Sequence, residues 1–326
     1  MRVKLAVQYP HGACSYYRSI GVFSKLHKLN NNIEISHIKE IEWHMIADAD
    51  VLYLERPCNY EFHTAIQMAK DFNVPVWIDF DDNLFDLPEY NPGHKYFSQK
   101  STKECIEKCI KLADVITVTT PELQKVFSNY HGNVKIIENA FNDYNFNLPD
   151  QASKNESCLW RGSETHRNDL LGVAPQIFDL ADKYKKWGWC FVGNNVWYMT
   201  DNINNHYQID ELPQLKYWKF IKQTNAGIQI NPLAFNRFNV GKSNIAWIEG
   251  IFAGSCCIAP ELPEWKRPGV TLYNNSNDFK DKLEYLIKDK KAREINFKLS
   301  REYILDNLLL SKINEKRLKI LEELKR

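Results

Sequence analysis

The sequence predicts an α/β protein of two domains, and three observations predict it. The chain has 326 residues, more than the roughly 250 to 300 at which a single hydrophobic core usually stops growing. Short runs of β-branched and aromatic residues alternate with amphipathic stretches. A polar interruption rich in Asn, Asp, Pro and Ser lies between Asn142 and Glu156, and the same alternation restarts after it.

In the first round, strands are expected at Val3–Gln8, Ile33–Ile38, Val51–Leu54, Val74–Phe80, Val115–Thr119 and Val134–Ile137. Helices are expected near Tyr16–Leu29, Phe62–Asp71, Thr102–Ala113 and Pro121–Tyr130. Short apolar strands separated by helices point to a parallel sheet covered on both faces, a Rossmann-like unit. The second round predicts strands at Cys158–Trp160, Trp189–Val192, Ala226–Ile230 and Cys256–Ala259, with helices near Asn168–Tyr184, Leu212–Gln223 and Asn244–Phe252. The expected organisation is therefore one Rossmann-like domain over residues 1–145, a second over 156–305, and a C-terminal helix over 306–326 that packs back on the domains. Ile313, Leu318, Ile320, Leu321 and Leu324 give that helix its apolar side.

Composition narrows the function classes. Apolar residues make up 44% and charged residues 25%, as in ordinary globular proteins. Lys and Arg number 42 against 41 Asp and Glu, a net charge of +1, so no global field draws the chain to nucleic acid or an anionic membrane. Lys290, Lys291, Arg293, Lys298, Arg301, Lys312, Lys316, Arg317 and Lys319 form a basic C-terminal run, but interleaved glutamates favour a solvated helical face. The eight cysteines contain no CxxC pair and mostly sit in apolar runs, which predicts buried free thiols and a reducing, cytoplasmic setting. No secretion signal follows Met1, and no run of ~18 apolar residues predicts a membrane span, so any membrane contact is expected to be peripheral.

The stretch from Phe238 to Ala259 carries the most chemistry. A loop with Gly241 and Lys242 leads into a helix starting near Ser243, and Gly254 stops that helix before an apolar strand. Free N–H groups at a helix start, beside a lysine and a serine hydroxyl, suit an anion. This stretch resembles the donor-binding segment of retaining GT-B glycosyltransferases (group 1, family 4-like). There a lysine-serine pair, a helix, a glutamate and a small-residue turn before an apolar strand recur in that order. The resemblance implies two domains facing each other across a cleft, Glu249 on the ribose hydroxyls of a nucleotide sugar, and Lys242 on its diphosphate, with Ser243 and Asn239 beside them. The family's fuller pattern has an earlier glutamate, whose place is taken here by Gly241.

Two more stretches follow strands, where parallel sheets bind ligands. Residues Leu159 to Leu170 resemble the first loop of the same family's C-terminal domain: Gly162 and Ser163, a spacer, His166, then an Asp-Leu pair. Arg161, His166 and Arg167 are candidates to offset charge on the leaving diphosphate; the alternative for His166 is to cap or pack the next helix. Tyr9 to Arg18 resembles the family's N-terminal glycine loop, with Gly12 in the loop and Arg18 a candidate for phosphate or acceptor, or an ordinary surface arginine. It lacks GxGxxG, so dehydrogenase-type dinucleotide binding is not expected.

The acidic run at Asp79, Asp81 and Asp82 is read as an acceptor-side wall. Its alternative is a DxD metal site of the GT-A kind. On the preferred reading the nucleotide sugar is a co-substrate, a hexose or pentose moves to a hydroxyl of a saccharide or glycan, and no divalent metal is required. Two rivals stand beside it. One changes the acceptor to a hydroxymethylated base in DNA, and the other, allowed by Gly241, is a catalytically silent glycan- or partner-binding subunit.

Overall fold

The computed structural model describes residues 1–38 and 41–325. It divides the chain into two compact units, one of residues 1–144, 241–243 and 308–326, the other of residues 145–240 and 244–307.

The sheet of the first unit contains β1 (Arg2–Ala6), β2 (Glu34–Ile38), β3 (Val51–Glu55), β4 (Val76–Phe80), β5 (Val115–Val118) and β6 (Val134–Ile136). The order is β2-β1-β3-β4-β5-β6, and all pairs are parallel. Every residue of β3 and β4 is buried, as helices covering both faces require, including Glu55 and Asp79 near their carboxyl ends. Leu310, Ile313, Ile320, Leu321 and Leu324 of the last helix (Leu310–Leu324) join the core of this unit with Val3, Phe23, Tyr53 and Trp77.

The second unit repeats the plan with β7 (Ser157–Arg161), β8 (Gly188–Val192), β9 (His206–Ile209), β10 (Ile228–Ile230), β11 (Cys256–Pro260) and β12 (Val270–Tyr273). Its order is β12-β11-β10-β7-β8-β9, again parallel throughout. In this sheet the strand order reverses between β7 and β10; in the first it reverses between β1 and β3. Ligands of open α/β sheets bind outside the carboxyl ends of strands at such points.

Four expectations need correction. The edge strands β9 and β12 have no continuous apolar run, since only one of their eight residues is buried, and the apolar pattern did not mark them. The helix expected over 16–29 is broken into Ala13–Arg18, Ile20–Phe23 and a 3-10 turn at Leu26–Lys28. Ser19 leaves helical geometry there at φ −123°, ψ −98°. The helix expected over 168–184 is two helices, Arg167–Leu171 and Ala174–Lys183. Pro175 lies in the first turn of the second, where its missing N–H costs nothing, but it cannot continue the first. Finally, the helix carrying Glu249 begins at Ile245 with Asn244 as N-cap, so Ser243 lies outside it.

The stop at Gly254 is realised in detail. Gly254 takes φ +84°, its N–H reaches Ile251 O at 3.0 Å, and Ser255 N–H reaches Gly250 O at 2.9 Å, a Schellman closure. The basic C-terminal run is largely neutralised, with Lys290–Glu294 at 3.8 Å and Lys298–Glu302 at 3.9 Å. Arg293 and Arg317 are buried, so they are no part of a surface patch. All eight cysteines are free thiols, and no helix among the described residues is long and apolar enough to cross a membrane.

Candidate functional site

In the second unit the carboxyl end of β7 delivers Arg161, and the loop after it carries Gly162, Ser163 and His166. Glu249, on the helix Ile245–Phe252, is 3% exposed. Its Oε2 accepts from the Tyr217 hydroxyl at 2.8 Å and meets Arg161 Nε at 2.5 Å. Burial, and then the Glu249 charge, push the Tyr217 phenol far above its ordinary range, so it remains a hydrogen-bond donor. Glu249 is thus held inside a Tyr-Arg pair and does not face solvent.

His166 Nδ1 meets Asp169 Oδ2 at 2.9 Å. The other oxygen, Asp169 Oδ1, accepts from Ala234 N at 2.8 Å and Asn239 Nδ2 at 3.0 Å. Ala234 and Asn239 follow β10, so Asp169 ties the loop after β7 to the segment after β10 at the switch point. Ser163 is exposed and bonds Thr165 across 2.7 Å. A Cβ on Gly162 would lie 2.6 Å from the Trp160 ring, and one on Gly193, at φ +153°, would lie 2.0 Å from Gly162 O. Gly162 is therefore closed in by the Trp160 ring and Gly193 by the Gly162 backbone, so the ends of β7 and β8 pack too closely for any residue but glycine at either place.

In the first unit the acidic wall is fully committed. Arg18, 1% exposed, grips Asp79 with both edges of its fork, Nε to Oδ1 at 2.9 Å and Nη2 to Oδ2 at 2.7 Å, and donates to Ile137 O at 2.7 Å. Thr117 donates to Asp79 at 2.5 Å, and Trp77 Nε1 to Thr117 at 2.8 Å. Arg18 and Asp79 therefore brace the ends of β4 and β5, and Arg18 is not an ordinary surface arginine. Asp81 is paired with Arg56, and Asp82 with both Arg56, at 3.0 Å, and Lys242, at 3.1 Å. Burial opposes the Asp81 charge, but Arg56 and Arg18 hold its carboxyl below the usual range. Asp79 and Asp81 each answer a guanidinium.

Lys242 and Ser243 belong to the first unit, where Asn139 donates to the Ser243 hydroxyl at 2.9 Å and Thr120 donates to Gly241 O at 3.1 Å. Gly12 takes an ordinary φ of −75° as the N-cap of Ala13–Arg18 and has no conformational need to be glycine.

No protein-family model matches the sequence, and no curated protein matches it. Solved structures do. A glycosyltransferase from Rickettsia africae ESF-5 aligns over 99% of this chain and 98% of its own at 13% identity and TM-score 0.66. HepE from Anabaena, solved in complex with UDP, aligns over 99% of this chain and 100% of its own at 13% identity and TM-score 0.63. Sucrose-phosphate synthase from Thermosynechococcus elongatus aligns over 99% of each chain at 8% identity and TM-score 0.65. The chain has the GT-B glycosyltransferase fold.

Within the GT-B fold, the structure brings Arg161 to Glu249, and His166 to Asn239 through Asp169. Sequence reasoning missed Tyr217 and Arg56 as members of these clusters, and met Asp169 only as the acid of the Asp-Leu pair. Asp169 carried a faint signal, an acid three places after a histidine at a helix start. Arg56 carried none, since its φ of +48° and its two aspartates depend on the end of β3 meeting the end of β4.

Proposed function

We propose that this chain is a nucleotide-sugar-dependent glycosyltransferase that moves a hexosyl or pentosyl group to a hydroxyl of a saccharide or glycan, with retention and without a divalent metal. One observation carries the reading: Arg161, His166, Asp169 and Asn239 converge at the switch point of the second sheet, with Glu249 paired to Arg161. Fold alone carries no activity. As the bond from the anomeric carbon to the diphosphate oxygen breaks, negative charge grows on the diphosphate, and fixed cations lower that barrier without reorganising. Arg161 supplies one, and His166 supplies a second when it is protonated, beside the backbones of Gly162 and Gly193. Glu249 takes the ribose hydroxyls, and Lys242 the diphosphate, by the resemblance above. A net charge of +1 gives no support to DNA as acceptor, and the free thiols suit a cytoplasmic enzyme.

The test is a thermal-shift panel of nucleotide sugars, UDP-sugars first, with and without EDTA. A donor at about one hundred times its Kd adds about 2.7 kcal/mol of stability. The expected result is one responding donor class, unaffected by EDTA, with the response lost in Glu249→Gln. Loss on chelation would overturn the metal-free mechanism. No response to any donor would favour the silent subunit. With Lys242→Ala, a retained response would confine Lys242 to its pair with Asp82. The anomeric proton coupling of the product decides retention.

A further inference from the structure

We infer that Asp169 is a positioning residue for the donor site: it fixes the His166 ring with Nδ1–H turned inward, so that the Nε2 edge meets the diphosphate of a nucleotide. The inference rests on the donor-site reading above and names a residue that reading leaves without a task.

Surface His–Asp pairs three apart on a helix are common and weak. This one differs in three respects. Asp169 is 4% exposed, so its carboxylate is held by the fold and does not sample solvent. Its Oδ1 is occupied by two N–H donors from a different segment, Ala234 N and Asn239 Nδ2, which leaves Oδ2 for the ring. Asn239 is itself buried and also donates to Ala234 O at 3.0 Å, so the brace behind the carboxylate is rigid. An ionised carboxylate only accepts hydrogen bonds, and the ring must therefore place its proton on Nδ1. Nε2 is then the other polar edge of a ring whose orientation is fixed.

Charged groups near the ring in sequence have partners of their own. Glu164 and Arg167, on either side in sequence, pair with each other at 3.4 Å, and Arg161 pairs with Glu249. Asp169 Oδ2 meets the ring at Nδ1. A ring aimed by a buried brace is, when Nε2 carries a proton, a donor suited to the growing charge of a leaving diphosphate.

The experiment uses the full chain with 15N-labelled histidine, and UDP as the probe. His166 is assigned by difference with His166→Gln, and its ring nitrogens are followed from pH 5 to 8.5 for the parent and Asp169→Asn. The expected parent shows Nδ1 protonated throughout. In Asp169→Asn the titration moves to lower pH, and UDP binds about tenfold more weakly at pH 6.5. UDP is expected to perturb Nε2 in the parent, and its affinity to fall as pH rises through the histidine range. His166→Gln is expected to bind UDP as weakly as Asp169→Asn and to lose that pH dependence, with the double variant no weaker. An identical His166 titration in Asp169→Asn without nucleotide overturns the inference, whether or not UDP binds. UDP binding that leaves Nε2 unmoved also overturns it while sparing the donor site. If no variant and no parent sample binds UDP, the donor-site reading falls for this nucleotide, and the diphosphate half of the inference falls with it. Thermal melting of each variant separates loss of fold from loss of positioning, and His166→Gln leaves the Asp169 brace intact.

Discussion

Asp79→Ala is expected to destabilise the first unit by about 3–5 kcal/mol, the usual cost of removing one partner from a buried ion pair. The loss arises because Arg18, 1% exposed, stays behind with its fork unanswered. Burial opposes the guanidinium charge, and Asp79 is what keeps the charge in place. Thr117, which donates to Asp79 at 2.5 Å and accepts from Trp77, loses its acceptor as well. Urea denaturation of Asp79→Ala, Arg18→Met and the double variant checks this as a cycle. The double variant is expected to cost less than the sum of the singles, since it leaves no unpaired buried charge. A single-variant cost below about 1 kcal/mol would mean that water reaches the pair, and the structural role assigned to it would be wrong.

Glu55→Gln is expected to stabilise the protein at pH 8 by up to about 3 kcal/mol and to flatten its stability between pH 5 and 7. Glu55 ends β3, is 6% exposed, and stands opposite Asp79 in the β3–β4 register. Ser19 donates to one of its oxygens, while the neighbouring Arg56 spends its guanidinium on Asp81 and Asp82. Burial, against the help of Ser19, pushes the carboxyl up from 4.5 to about 7. A folded value above the unfolded one means that folding takes up a proton. The stability linked to Glu55 is full below about pH 4.5, is lost as pH rises toward 7, and does not change above that. A shift of that size corresponds to about 3 kcal/mol at 1.36 kcal/mol per unit, as an upper limit. Glutamine keeps an oxygen for Ser19 and does not titrate. Denaturant midpoints at pH 5 and pH 8 for the parent and Glu55→Gln decide the matter; parallel pH profiles would show that Glu55 ionises freely in the fold.

Much of the scaffold was legible from residue order. β11 announced itself because a strand buried on both faces reads as a continuous apolar run, and β4 did so despite Asp79 near its end. β9 and β12 did not, because an edge strand can leave its residues half exposed. The site was legible as places more than as partners. Arg161, His166 and Glu249 were each singled out for a ligand, yet each also meets a protein group that the sequence did not disclose.

The sequence by itself determined two rounds of strand and helix, the polar break near residue 145, and the glycine stop at Gly254, because each follows from local sterics or from the period of apolar residues. Only the tertiary structure decided that Gly241–Ser243 and the last helix belong with the first unit. The same holds for Arg18 finding Asp79, 61 positions away, and for Asp169 standing between His166 and Asn239. Such partnerships have no period and no local propensity. They arise where strand order and the close approach of chain ends bring distant polar groups into one low-dielectric place, where a charge must be answered or neutralised.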